Sequence, residues 1–264
     1  MTTAPEARGV MQRFHANYLA EVREVPASSR RNLFIIAAVL AAVGLVSFLV
    51  ILVGVQNRDG LAGIDKPVQA WLEGMRTPVL TVVMAIVATV FGPIAMPIII
   101  LVTTVWWGFA ARHAWRPLLL AGGMLTGLVI VQVLARVVGR ERPPISTMLL
   151  EVDHTPSFPS GHVMGLTDFL LITTFLVFSR WRNPVWTVIA FIVTVTLVTA
   201  TVACRVYLGY HWPTDVLASI SLSLVVLGAV IAVDTWRTVR AVPDTKPAGV
   251  TPGQSLASRA RKNA

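Results

Sequence analysis

The chain has 264 residues, of which 55% are apolar and only 13% charged, with a mean hydropathy of +0.71. A soluble domain carries roughly 25% charged residues, so the composition excludes an ordinary soluble enzyme and makes lipid the main solvent of the folded chain. The net charge of +9 comes without a soluble basic domain, which excludes nucleic acid as a partner, and the one cysteine, Cys204, excludes an intrachain disulfide and a cysteine-built metal cage.

Residues 1–32 are polar and arginine-rich, and read as a cytoplasmic N-terminal segment. The uncharged run Leu33 to Val55 is longer than the h-region of a cleaved signal and long enough to span a bilayer, so it predicts a retained helix. Gln56 to Thr77 is polar, with Val68, Trp71, Leu72 and Met75 spaced for one face, which predicts an amphipathic interfacial helix. Pro78 to Phe91 is apolar but short, and Gly92-Pro93 ends it, which predicts a re-entrant or interfacial segment. Further spans are predicted at Pro93 to Ala110, Pro117 to Val138, Gly161 to Phe178, Pro184 to Val206 and Pro213 to Val233. The basic, Pro/Ser/Ala-rich stretch 234–264 predicts a disordered cytoplasmic tail. The fold class is therefore all-α: a membrane bundle of six transmembrane helices over residues 33–233, with a short amphipathic and re-entrant segment.

Charge sets the orientation. With six crossings, 15 of the 22 lysines and arginines fall on the side of the two termini and seven on the other. Cytoplasmic flanks carry the excess of positive charge, so both termini are expected in the cytoplasm. Three polar blocks then emerge together on the outer face of the cytoplasmic membrane.

The blocks are Gly139-Arg140-Glu141-Arg142-Pro143, Pro156 to His162, and Cys204-Arg205 running on to His211 and Asp215. In the second, Ser160 and Gly161 open a helix, whose free N–H groups and dipole suit an anion. His162 follows them, and ionisable groups at membrane depth are functional by default. In the first, Arg140 and Arg142 suit bidentate contact with phosphate oxygens, although a basic pair flanking a helix also suits lipid headgroups. In the third, Pro213 opens a helix with Asp215 in its first turn and His211 just ahead. A carboxylate there suits the imidazole Nδ1–H, leaving Nε2 to attack.

Together the blocks resemble the type-2 phosphatidic acid phosphatase family, whose site architecture is shared with vanadium haloperoxidases. The resemblance is carried by Arg142-Pro143, by Pro159-Ser160-Gly161-His162, and by Arg205 with His211 and Asp215. It implies His211 as a nucleophile that forms a phosphohistidine, Asp215 as its orienting partner, and His162 as the acid that protonates the leaving oxygen and then activates water. It further implies Arg142, Ser160, Arg205 and the Gly161 N–H as phosphate ligands, with no metal and no cofactor. The family's lysine, seven residues before Arg142, is Ala135 here, and Arg136 and Arg140 are the cations near enough to replace it; its serine before Arg205 is Cys204.

The expected activity is hydrolysis of a lipid phosphate or diphosphate. Undecaprenyl diphosphate or another isoprenoid substrate is the first expectation, by analogy, and phosphatidic acid or phosphatidylglycerol phosphate the other. A lipid-linked phosphotransferase and a non-catalytic lipid-phosphate binder or transporter are the alternatives. Six apolar helices exclude a soluble haloperoxidase, and the sequence is silent on oligomeric state.

Overall fold

Helices form where the apolar runs lie, and their starts follow local chemistry. The computed structural model describes residues 22–111, 114–180 and 183–243. The order is β1 (Arg23–Pro26), α1 (Ala27–Asn57), a 3-10 turn (Gly60–Ile64), α2 (Asp65–Gly74), α3 (Pro78–Val90), α4 (Ala95–Ala110), α5 (Trp115–Val138), a second 3-10 turn (Ile145–Thr147), α6 (Gly161–Phe178), α7 (Pro184–Tyr207), α8 (Pro213–Thr238) and β2 (Val239–Val242). Proline opens α3, α7 and α8, where its missing N–H leaves no bond unmade. Thr77 caps α3 by accepting from Leu80 N, and Asn183 caps α7 by accepting from Val185 N and Trp186 N.

Five of these helices, α1 and α5 to α8, are long and apolar enough to cross a membrane, and α3 with α4 makes six when the pair is counted as one span. The pair is bent by 46°, at the Gly92-Pro93 break. The short segment and the second span are two helices, as expected, joined through this bend. The pair's first half stays at one end of the bundle: Thr77 N donates to the Tyr207 hydroxyl at 3.1 Å, while a Cβ on Gly92 would stand 3.5 Å from His162 Nε2.

The ends of the membrane unit also differ from expectation. Helix α1 begins at Ala27, ahead of Leu33, and α8 runs to Thr238, past Val233. The chain then forms β2, parallel to β1 with Arg23 opposite Val239. Local bonds account for this: Asp234 accepts from Trp115 Nε1 at 3.0 Å, and Arg23 Nη1 donates to Ser179 O at 2.9 Å. Residues 234–242 are therefore helix and strand rather than tail. The remainder of the expected N-terminal segment and tail lies outside the described residues.

Helix α8 is the centre, packing on α1, α5, α6 and α7. Lipid tails supply no hydrophobic force between helices, so close contact of backbones matters. Gly44 and Gly228 provide it between α1 and α8. A Cβ on Gly228 would come within 2.6 Å of Ala37 O, and one on Gly44 would run into Ser221 O. The core of Phe48, Leu120, Met124, Phe158, Met164, Ile172, Leu222 and Val226 fills the interior, while Val43 and Leu49 on α1 and Val188 and Phe191 on α7 face outward.

Candidate active site

The three blocks meet at one end of the bundle because the first leaves α5, the second enters α6 and the third joins α7 to α8. Arg205 occupies the last turn of α7. Gly209, at φ +81°, turns the chain so that Tyr210 N and His211 N both donate to Arg205 O, at 3.1 and 3.3 Å. The loops are tied to each other as well: Ser157 N donates to Arg140 O at 2.8 Å, and Trp212 Nε1 to Glu141 O at 3.0 Å. Phe158, fully buried against Phe48 with ring centroids 6.0 Å apart, anchors the second block in the core.

His211 is buried, and its Nδ1 lies 2.7 Å from Ser157 O. A carbonyl only accepts, so the proton resides on Nδ1 and Nε2 carries the lone pair. Nε2 is 3.3 Å from Arg142 Nη1. Burial, then the charges of Arg205 and Arg142, push His211 well below the usual histidine pKa. The imidazole is therefore neutral at neutral pH, as a nucleophile requires. Asp215 stands behind it at 3.6 Å from Nδ1. The direct acceptor expected to be Asp215 is thus the Ser157 carbonyl, a group that leaves no side-chain trace in sequence.

The carboxylate of Asp215 is committed elsewhere. Its Oδ2 accepts from Trp212 N at 2.9 Å and its Oδ1 from Arg140 Nη1 at 2.5 Å. Arg140 Nη2 in turn meets Asp65 Oδ2 at 2.5 Å, and Asp65 Oδ1 accepts from Thr214 N at 2.9 Å. Asp65, at the start of α2, is only 3% exposed. The amphipathic segment therefore delivers a buried acid to the back of the site, and Arg140 bridges two acids.

The other arginines separate clearly. Arg142 donates to Tyr210 O at 2.6 Å and Thr155 O at 2.8 Å, and pairs with Asp153 at 2.8 Å. Burial lowers its pKa, and nearby Asp153 opposes that shift. Arg205 lies over the Tyr210 ring at 4.6 Å, and its buried Nε has no hydrogen-bond partner among the described residues. Arg136 is exposed and donates to Gln132 O of its own helix at 2.9 Å, with no contact to the other site residues among the described residues. Ala135, in the last turn of α5, supplies no charge.

Ser160 precedes α6, yet its hydroxyl makes no capping bond and is buried without a partner among the described residues. Ser219 Oγ holds the backbone there, donating to Ser160 O at 3.0 Å and Asp215 O at 2.9 Å. Gly161 opens the helix, whose first amides have no preceding carbonyl to bond. His162, with Arg205, Arg142 and His211 nearby, lines an apolar cavity of about 480 Å³ between the α3–α4 break, α4, α5 and α6. A second, polar cavity of about 840 Å³ opens beside Arg140, Arg142, Arg58, Lys66 and Trp212. Of the expected residues, His211, His162, Ser160, Gly161, Arg142, Arg205 and Asp215 thus gather at one end of the bundle, Arg140 lies behind them and Arg136 outside. Among the described residues no three His, Cys, Asp or Glu side chains cluster as metal ligands.

Asp65 and the role of the Ser157 carbonyl escaped the sequence reading. Only Asp65 left a signal: a lone acid opening an amphipathic helix.

Residues 116–238 match the family model described as the PAP2 superfamily. The transmembrane PAP2-type phosphatidylglycerolphosphate phosphatase of Bacillus subtilis is similar at a TM-score of 0.65 and 25% identity, over 74% of this chain and 98% of that one. LpxE of Aquifex aeolicus shares the fold at a TM-score of 0.50 and 18% identity, over 64% of this chain and 94% of that one. No curated protein matches the sequence.

Proposed function

We propose that this chain, a multi-pass membrane protein of the PAP2 superfamily, is a lipid phosphatase that works through a phosphohistidine. The observation that carries the reading is a neutral, buried imidazole whose Nε2 faces Arg142 at 3.3 Å, with His162 nearby in the lining of an apolar cavity. A lipid tail in that cavity puts the ester oxygen beside His162 and the phosphoryl group beside His211. The Bacillus subtilis neighbour, a phosphatidylglycerolphosphate phosphatase, supports a lipid phosphate as substrate.

His211 Nε2 attacks phosphorus, and the bond to the lipid oxygen breaks. His162 gives that oxygen a proton, and the lipid alcohol leaves. His162 then takes a proton from water as its oxygen attacks the phosphohistidine, releasing inorganic phosphate and restoring His211. The Ser157 carbonyl holds the Nδ1 proton in place, with Asp215 stabilising the positive charge that grows on the ring. Arg205, Arg142, the Ser160 hydroxyl and the Gly161 N–H bind the phosphoryl oxygens, since phosphoryl transfer is chiefly positioning and charge stabilisation. The arginines carry the positive charge, so the reaction runs without a metal. Charge bias favours both termini in the cytoplasm and the site on the outer face.

A phosphate-release assay in detergent, with chelator and a panel of lipid phosphates and diphosphates, tests this. Release that survives chelation and vanishes in His211→Ala is expected; strict dependence on a divalent cation would contradict it. In ¹⁸O-water the released phosphate gains one labelled oxygen, whereas transfer to an alcohol acceptor leaves it unlabelled.

A further inference from the structure

Asp168 on α6 is the charged-type residue that the chemistry above leaves unused. It is 1% exposed, and neither carboxyl oxygen has a hydrogen-bond partner among the described residues. Ser223 on α8 stands close enough to favour the charged form of Asp168, but among the described residues its hydroxyl too has no hydrogen bond of good geometry. Opposite, on α5, Gly127 leaves the room that the carboxyl fills, for a Cβ there would overlap it. Asp168 also lines the same apolar cavity as His162, on one face of α6 with Gly161 and Gly165.

An acid in that position is expensive and needs a use. Among the described residues no charged group stands against it, and a carboxyl that carries its proton has one O–H to donate. Asp168 lies two turns, about 10 Å, along α6 from Gly161, and its side chain leans back toward the helix start. It therefore stands below the phosphoryl site, along the path of the lipid.

We propose that Asp168 reads the lipid part of the substrate, donating a hydrogen bond to an ester carbonyl of a diacylglycerol-type phosphate. The inference rests on the phosphatase reading and adds a substrate class to it. Ester carbonyls hang from the glycerol just below the phosphate. An isoprenoid chain carries no oxygen beyond its phosphates, so it would leave the buried O–H unmet, and an unmet buried donor is the strongest basis for rejecting a ligand. This turns the expected preference from isoprenoid to diacyl lipids.

The test compares a diacylglycerol 3-phosphate with its dialkyl ether analogue, which has the same phosphate and chains but no carbonyl. Wild-type kcat/KM should favour the diacyl form by about tenfold. Asp168→Leu should abolish that preference by slowing the diacyl substrate alone, while Asp168→Asn, which keeps an N–H donor, should retain most of it. A wild-type ratio near one, a ratio unchanged in Asp168→Leu, or an equal loss on both substrates would overturn the proposal. The ratio of Kd values for the same pair on His211→Ala needs no turnover. Discrimination in Kd with no phosphate release by the wild-type protein would thus sink the phosphatase reading and keep the subsite, and wild-type release without discrimination would do the reverse.

Discussion

Behind His211 the polar groups are tied to one another, and in front of it two of them are not. At the back, Arg140 is locked between Asp215 and Asp65, and Asp65 holds Thr214. At the front, Ser160 Oγ and Arg205 Nε are buried and unpartnered among the described residues. Unsatisfied buried polar atoms are costly, so a fold retains them where a ligand completes them. The contrast suggests a division of labour: the rear network fixes geometry, and the front binds charge.

Removing Arg140 is the harshest way to break the rear. Arg140→Ala would leave two buried acids uncompensated, and losing one partner of a buried pair costs about 3–5 kcal/mol. A thermal melt in detergent should show a large loss of stability. Arg205→Ala probes the front and should do the opposite. It should lower kcat by about 10²–10³-fold, as loss of one charge-stabilising donor does, with little change in melting. If Arg140→Ala melts normally, or if Arg205→Ala unfolds the protein, the division is wrong.

A smaller effect follows from the titration of His211. Its folded pKa is lowered, so below about pH 6.5 the unfolded chain binds a proton that the folded chain refuses. Its stabilising contribution is complete above that pH and is lost as pH falls toward the folded value, by at most about 1.4 kcal/mol per pH unit. Melts from pH 7.5 to pH 5 should fall in wild type and fall less steeply in His211→Asn. The smallest effect belongs to Arg136. Arg136→Ala should change kcat/KM by less than about twofold, in line with surface substitutions generally, and a larger loss would return Arg136 to the phosphate.

How much of this the sequence disclosed depends on whether side-chain type or backbone placement carries the information. Apolar length announced the spans, and Ser160, His162, Arg205 and His211 announced a phosphate chemistry because those side chains have few other uses at membrane depth. The roles of Arg140 and Arg142 were not separable in sequence. Two arginines two residues apart look alike until Asp65, 75 residues from Arg140, is seen to claim one of them. The acceptor for His211 Nδ1 was invisible because every residue has a carbonyl. Asp168 lay inside an apolar run, and only the absence of a partner in three dimensions marks it. The strand pair that joins Arg23–Pro26 to Val239–Val242 was hidden for a related reason, since its register depends on where α1 and α8 end.

The central claim is that His211 carries the phosphoryl group. Phosphohistidine is labile to acid and stable to base. Wild-type protein mixed briefly with a ³²P-labelled lipid phosphate and quenched in base should therefore hold protein-bound label that acid releases. His211→Ala should hold none and should release no phosphate. Label that persists in His211→Ala, or full turnover by that variant, would contradict the account.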